Sequence, residues 1–173
     1  MLYHASKEKG LEILEPRIST HGKAYVYAIR SRVAAVCFGA PKDDFDLLMD
    51  EEDGIVHLYE CYPHAVEKIY GGKSCRLYEV GEEGFRSGLT GWNAELVCEN
   101  AIPVLREEYI RDIYSFLTDA EARGECVLHR YSQDGQYQSM LRGELGERIR
   151  DFGLRDEDIK NDPRLRPLFG PQD

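Results

Sequence analysis

Apolar and aromatic residues are densest in the first hundred positions, where they form short runs separated by glycine and charged residues. Runs of this length, rich in β-branched and aromatic side chains and bounded by turn residues, are typical of β-strands. The N-terminal part of the chain is therefore expected to be rich in strands. The pattern predicts strands at residues 2–4, 24–29, 54–62, 65–70, 75–80 and 94–98.

Helical spacing of apolar residues occurs at three places along the chain. Ser31 is suited to cap a helix N-terminus, and residues 34–38 behind it place apolar side chains on one helical face. Apolar positions three and four residues apart predict a second helix over residues 107–117. A longer helix is predicted over residues 136–152, ending near Gly153.

Two stretches show neither the apolar runs of strands nor the helical spacing of apolar residues. Residues 43–53 are dense in Asp and Glu and are predicted to form an exposed acidic loop or helix face. The proline-containing tail is predicted to be irregular. Taken together, the elements predict an α+β protein with a core at residues 1–115. A helical C-terminal extension at residues 116–173 is expected to pack on that core.

The composition fits a folded, acidic domain. Of the 173 residues, 42% are hydrophobic and 10% are aromatic, which is enough apolar surface for a buried core. Lys and Arg number 22 against 32 Asp and Glu, so the net charge is −10. Broad nucleic-acid binding is not expected, because it needs clustered cations that displace counterions from the phosphate backbone. A single diphosphate can still be held by backbone N–H groups and one or two arginines.

The remaining compositional features predict a cytoplasmic protein without a membrane anchor. No apolar run approaches the ~20 residues of a spanning helix, and no signal-peptide pattern is visible. The five cysteines are far apart and form no C-x-x-C pair, which favours reduced and buried thiols. Only Cys61 and His64 stand at metal-like spacing, so no metal site is predicted.

Three short segments carry polar side chains in a notable order. His4 precedes Ser6 by two residues in the first strand, Tyr25 and Tyr27 share a face of a second strand, and Glu95 opens a later strand. Each residue alone is equally well explained as an ordinary strand residue. Their order, His then Tyr then Glu, resembles the ADP-ribosyltransferase superfamily in its poly(ADP-ribose) polymerase and diphtheria-toxin-like branch, which has a His-Tyr-Glu triad.

The resemblance covers about residues 1–115. It implies an ADP-ribosyltransferase-like split β-sandwich with a cleft for NAD between two small sheets, followed by the helical C-terminal addition. It also implies a transferase that cleaves the nicotinamide–ribose bond of NAD, its substrate. The segments that carry the resemblance are LYHAS at 2–6, GKAYVYA at 22–28, RLYEV at 76–80 and AELVCE at 94–99.

The family's site implies a role for each matching residue. His4 would hydrogen-bond the adenosine ribose, and the backbone of Ala5 would pair with the nicotinamide carboxamide. Tyr27 would stack on the nicotinamide ring. Glu95 would bind the nicotinamide ribose and stabilise the positive charge that develops on it, so His4, Tyr27 and Glu95 are the implied catalytic residues. The implied NAD-binding set also includes Ser6, Tyr25, Ser31 and Phe38.

Two departures from the family pattern leave the function open. The family usually has Gly where this chain has Ala5, and the added methyl group could narrow the nicotinamide slot. Arginine-modifying members carry Glu two residues before the catalytic Glu, where this chain has Asn93. The acceptor, a protein or a small molecule, is therefore not identified. The alternative function is a catalytically inactive ligand- or protein-binding module that retains the fold.

Two positions of the triad also have alternatives. The Gly22-Lys23 turn permits Tyr25 in place of Tyr27, and Glu99 is the second choice after Glu95.

A separate group of residues on the strand at 54–62 is a second candidate site, with residue types suited to a nucleophile. His57, Tyr59 and Cys61 share one strand face, with His64 close by, so a cysteine nucleophile with a histidine base is conceivable. Nothing in the sequence supplies a third, orienting group, and a packed strand face is the favoured interpretation. Arg17 is a hypothetical contact for a diphosphate.

Overall fold

The computed structural model describes residues 1–18 and 22–170. These ranges contain runs of strands interrupted by helices, with three helices at the end, and the α+β class predicted from the sequence is confirmed. The strands are β1 (Leu2–Ser6), β2 (Ile13–Leu14), β3 (Arg17–Ile18), β4 (Ala24–Ile29), β5 (Leu47–Glu52), β6 (Ile55–Glu60), β7 (Cys75–Val80), β8 (Arg86–Ser87), β9 (Glu95–Cys98), β10 (Ile102–Ile110) and β11 (Cys126–His129). The helices are α1 (Arg32–Cys37), α2 (Ala65–Tyr70), α3 (Ile113–Ala122), α4 (Gly135–Asp151), α5 (Asp156–Asn161) and α6 (Arg166–Phe169).

The larger sheet is antiparallel and has β1 near its centre. Its strand order is β2-β10-β7-β1-β4-β9-β8, with β3 paired to β4 beside this path. β1 pairs with β7 along its whole length, from Leu2↔Val80 to Ser6↔Arg76. The described ladder between β1 and β4 contains only the pair Tyr3↔Ile29, so these two neighbours diverge after that point.

The smaller sheet has three strands in the order β11-β6-β5. β5 and β6 form an antiparallel pair, whereas β11 runs parallel to β6. β11 lies after residue 115 but pairs with β6, which lies before it. Helix α3 also contains residue 115. The ranges 1–115 and 116–173 therefore share one helix and one sheet.

Three clusters of buried apolar residues hold these elements together. The largest joins α1, α2 and α3 to both sheets and includes Val36, Leu58 and Leu117. A second cluster of larger-sheet residues includes Leu2, Val80 and Leu96. The third packs α4 and α6 against the start of β5 and the end of β6. Its buried members are Phe45, Leu48, Cys61, Leu141, Leu145, Leu165 and Leu168.

Two segments adopt a different secondary structure from the predicted one. Residues 65–70 form helix α2 instead of a strand, because Ala65, Val66, Ile69 and Tyr70 are all buried on one helical face. Residues 107–110 belong to strand β10 instead of a helix, because β10 pairs with β7 across Val104–Ile110. The helix that follows begins only after Asp112, whose carboxylate accepts a hydrogen bond from the Ser115 N–H at 2.7 Å.

Two further predictions were too simple. The acidic stretch at 43–53 contains strand β5, and Phe45, Leu47 and Leu48 in it are buried. The tail contains the short helices α5 and α6 where an irregular chain was expected, and Leu165 and Leu168 anchor it in the third cluster. The capping prediction is confirmed, since Ser31 Oγ accepts a hydrogen bond from the Ala34 N–H at 3.2 Å.

All five cysteines are buried free thiols. Among the described residues, no helix is both long enough and apolar enough to cross a membrane.

Candidate functional site

A cavity of about 780 Å³ lies where β1 and β4 diverge. Five residues of the predicted site line it, although they are far apart in the sequence: His4, Ala5, Tyr27, Phe38 and Glu95.

His4 connects the two diverging strands through its side chain. Its Nδ1 lies 2.8 Å from the carbonyl oxygen of Tyr27. Because a carbonyl oxygen only accepts hydrogen bonds, Nδ1 carries the hydrogen and Nε2 is left as an acceptor. Burial lowers the pKa of His4 and so favours the neutral ring. The site therefore holds a neutral imidazole in one tautomer beside the cavity.

Tyr27 and Tyr25 differ in their position relative to the cavity. Tyr27 lines it, whereas Tyr25 is buried outside the lining and meets the Tyr27 ring edge-on at a centroid distance of 6.0 Å. In the sheet, Tyr25 on β4 lies opposite Arg17 on the neighbouring strand β3. Of the two tyrosine alternatives, Tyr27 is the one beside His4.

Glu95 and Glu99 are likewise separated. Glu95 begins β9 opposite Ile29 and lines the cavity, and its N–H donates to the carbonyl oxygen of Trp92 at 3.1 Å. Glu99 lies outside the lining and forms ion pairs with Lys23 and Arg86, each at 2.8 Å. The hydrogen bond from Lys23 is the main cause of the lowered pKa of Glu99. Glu95 is therefore the carboxylate of this pair that a ligand in the cavity would meet.

Helix α1 brings Phe38 to the cavity. Its residues Val33–Cys37 are buried, and Phe38 at its C-cap is 44% exposed. Ser31 caps the other end of the helix and lies outside the lining. Ser6 is also outside it, and its Oγ accepts a hydrogen bond from the Glu8 N–H at 3.1 Å. These two serines have local structural roles.

Several cavity residues were not identified from the sequence. Trp92 could have been noticed because it stands three residues before Glu95. Arg148 and Phe152 stand four residues apart at the end of α4, a spacing that places both on one face. No local signal marks Lys42 or Asp44. The missed lining residues with polar or aromatic side chains are Tyr3, Lys42, Asp44, Thr90, Trp92, Arg148 and Phe152.

Arg17, the hypothetical diphosphate contact, lies outside the cavity lining. Both of its terminal nitrogens donate to the Glu8 carboxylate, at 2.9 and 3.0 Å. This contact raises the pKa of Arg17 and lowers that of Glu8.

The side chains that surround His57 on β6 differ from the group predicted from the sequence. His57 Nδ1 lies 2.9 Å from His129 Nε2, and the ring of Tyr59 stacks on His129 at 4.0 Å. Cys61 is buried in the third cluster, and burial raises the pKa of its thiol to about 12. His64 is exposed. A thiol with so high a pKa is a poor nucleophile, so the structure favours a packed strand face here.

Within the described part of the chain, no group of three or more His, Cys, Asp or Glu side chains is arranged to hold a metal ion.

Comparison with protein-family models, with curated proteins and with solved structures finds no match to this chain.

Proposed function

We propose that the chain is an ADP-ribosyltransferase that uses NAD as its substrate, cleaves the nicotinamide–ribose bond and transfers ADP-ribose to an acceptor. One observation carries the proposal: His4, Ala5, Tyr27 and Glu95 line a single cavity. The divergence of β1 from β4 at this cavity is the feature that supports an ADP-ribosyltransferase-like split β-sandwich.

The binding roles follow from the chemistry of the side chains. The Nε2 atom of His4 accepts a hydrogen bond from a ribose hydroxyl, because Nδ1 already donates to Tyr27. The ring of Tyr27 provides a flat surface for nicotinamide with little loss of rotamer entropy. The cavity volume lies within the range typical of small-molecule sites.

Glu95 stabilises the transition state. As the bond between nicotinamide and the ribose C1′ breaks, its electron pair returns to the nicotinamide ring and positive charge develops on the ribose. A carboxylate beside the sugar stabilises that charge electrostatically. The nucleophile then bonds to C1′ and releases a proton, so the products are ADP-ribosyl acceptor, nicotinamide and H⁺.

The test measures nicotinamide release from NAD by the full-length chain. We expect Glu95→Gln to lower the rate about 100-fold or more, the usual cost of removing a group that stabilises charge in the transition state. Glu99→Gln is the matched control, since Glu99 directly follows the other end of β9 and is outside the lining. Equal rates for the native chain and Glu95→Gln would remove Glu95 from the mechanism.

The alternative is a binding module without catalysis, and it rests on Ala5. This residue lines the cavity where the family usually has Gly, so its methyl group takes up space beside nicotinamide. Calorimetry that detects NAD binding without nicotinamide release would favour the module. Neither binding nor release would overturn the enzyme and leave only a module for another ligand or for a protein.

A further inference from the structure

A second group of cavity residues belongs to none of the segments that carry the family resemblance. We call it the basic aromatic wall, and it consists of Lys42, Trp92, Arg148 and Phe152. Two of these residues come from α4 or its C-cap, in the part of the chain whose role the sequence did not indicate.

The wall is continuous with the proposed NAD site. The ring of Phe38 lies 5.8 Å from that of Trp92, and Lys42 Nζ lies 4.9 Å from the Phe38 ring. The carbonyl oxygen of Trp92 accepts the hydrogen bond of the Glu95 N–H. Trp92 and Glu95 also line the same cavity, so a molecule bound at the wall lies near the carboxylate assigned to the reacting sugar.

Helix α4 fixes the loop that carries Lys42. Arg148 Nη1 donates to the carbonyl oxygens of Asp44, which lies in that loop, and of Leu47, which directly follows it. The ring of Phe152 meets Phe45 at a centroid distance of 5.9 Å. The wall is thus assembled by packing between two distant segments, and its cations are held in place beside the cavity.

The wall carries positive charge in an acidic protein. Within residues 1–18 and 22–170, neither Lys42 nor Arg148 forms a salt bridge, and Arg148 donates to backbone carbonyls instead of to carboxylates. Two carboxylates, Asp44 and Glu95, also line the cavity, so the positive charge belongs to the wall and not to the cavity as a whole. The exposed ring of Phe152, 58% accessible, adds apolar surface that a planar ligand would cover.

We propose that the basic aromatic wall binds the acceptor of ADP-ribose, and that this acceptor is a planar aromatic compound with a negative charge. The inference rests on the proposed function. An N–H or O–H group of the acceptor attacks C1′ of the nicotinamide ribose, nicotinamide leaves with the electron pair of the broken bond, and the proton passes to water. A nucleotide and an aromatic carboxylic acid both have this chemistry.

The experiment compares charged probes with neutral probes of the same ring. The charged probes are guanosine monophosphate and hydroxybenzoate, and their neutral partners are guanosine and the methyl ester of hydroxybenzoate. The full-length chain is incubated with NAD and each probe, and mass spectrometry detects the ADP-ribosyl product. We expect a charged probe to be modified at least about tenfold faster than its neutral partner, the ratio that one charge-assisted contact supplies. The probe that is modified identifies the source of the anion.

Variants assign the effect to the wall. We expect Lys42→Gln to raise the KM of the charged probe about tenfold, with a smaller change in the KM of NAD, and Lys42→Arg to restore it. Lys68→Gln is the matched control, because Lys68 also lies over an aromatic ring, that of Tyr62 at 5.4 Å, but outside the cavity lining. We expect Lys68→Gln to leave both constants unchanged.

The outcomes separate this inference from the proposed function. Nicotinamide release without modification of any probe overturns the acceptor inference alone. A rise in the KM of NAD, with the acceptor KM unchanged, assigns Lys42 to the NAD diphosphate and also overturns it. If nicotinamide is not released, calorimetry tests whether the charged probes bind to the chain. Binding that weakens in Lys42→Gln supports an anion site, and the absence of binding overturns it.

Discussion

The imidazole of His4 takes the place of a strand-to-strand hydrogen bond where β1 and β4 diverge. Its Nδ1 donates to the Tyr27 carbonyl oxygen, so one side chain both bridges the opening and lines the cavity. Burial lowers its pKa, Arg17 lowers it further, and Glu8 and the bond to Tyr27 raise it. A neutral ring keeps Nε2 available as an acceptor. Folding and the proposed NAD site therefore depend on the same protonation state.

This protonation state makes stability depend on pH. Because the folded pKa of His4 lies below its ordinary value of 6.5, the unfolded chain binds the proton more readily as pH falls below that value. We expect the free energy of unfolding to decrease between about pH 7 and pH 5, above the range in which carboxylates titrate. Urea unfolding of His4→Gln over this range should show a smaller decrease, since glutamine does not titrate.

Two controls accompany the pH measurement. His129 also has a pKa lowered by burial, and the nearby His57 lowers it further, so His129→Gln should remove a separate part of the decrease. His64→Gln replaces an exposed histidine and is the control for the substitution itself. A His4→Gln protein with the pH dependence of the native chain would contradict the assigned role of burial.

Helix α1 shows how a residue can affect the cavity without lining it. The helix has six residues, and Ser31 at its N-cap satisfies the N–H of Ala34. Phe38 at the C-cap is the residue that reaches the cavity. The family resemblance placed Ser31 in the NAD-binding set, whereas its position in the fold indicates a capping role.

Substitution of the cap distinguishes these two roles. We expect Ser31→Ala to lower the free energy of unfolding by about 1 kcal/mol, because one N–H at the helix start loses its partner. Ser31→Asn keeps a capping acceptor and should retain the native stability. Chemical denaturation measures both changes. A Ser31→Asn protein with native stability but a tenfold higher KM for NAD would instead place Ser31 in contact with the substrate.

The pattern of apolar residues predicted an element correctly where the residues of that segment determine its secondary structure. The apolar run of β4, the alternation in β7 and the amphipathic α4 are such cases, and each formed near its predicted bounds. β10 is different, because its charged residues Arg106 and Glu107 meet Glu79 and Arg76 on the neighbouring strand. Pairing partners that are distant in sequence override a helical spacing, and no local pattern reveals them.

The same distinction applies to the cavity. His4, Tyr27 and Glu95 could be selected because each stands in a short strand segment and their order is recognisable. Lys42 and Arg148 reach the cavity only because α4 packs on the loop before β5. Such contacts depend on tertiary packing, so the basic aromatic wall could not be anticipated.

The C-terminal part of the chain is joined to the rest by buried polar contacts as well as by the third apolar cluster. The carboxylate of Glu60, only 5% exposed, accepts hydrogen bonds from the N–H groups of Val66 and Tyr131, each at 3.0 Å. The hydroxyl of Tyr137 donates to the carbonyl oxygens of Glu60 and His129. α4 is thus connected to β6 and β11, the central strand and one edge strand of the smaller sheet.

Arg164 provides the corresponding connection to the loop beside the cavity, and its removal tests whether the tail organises that loop. Its guanidinium contacts Asp43, Asp46 and Asp162 at 2.6–2.8 Å, and these carboxylates, Asp162 first, raise its pKa. The Arg164 and Asp46 side chains are largely shielded from water, at 22% and 15% exposure.

We expect Arg164→Gln to lower the free energy of unfolding by about 2 kcal/mol, because three carboxylates lose their shared cation. Arg155→Gln breaks an exposed ion pair with Asp158, and we expect it to lower the free energy of unfolding much less than Arg164→Gln does. Urea denaturation compares the two variants, and equal losses would show that the tail does not hold the loop through Arg164.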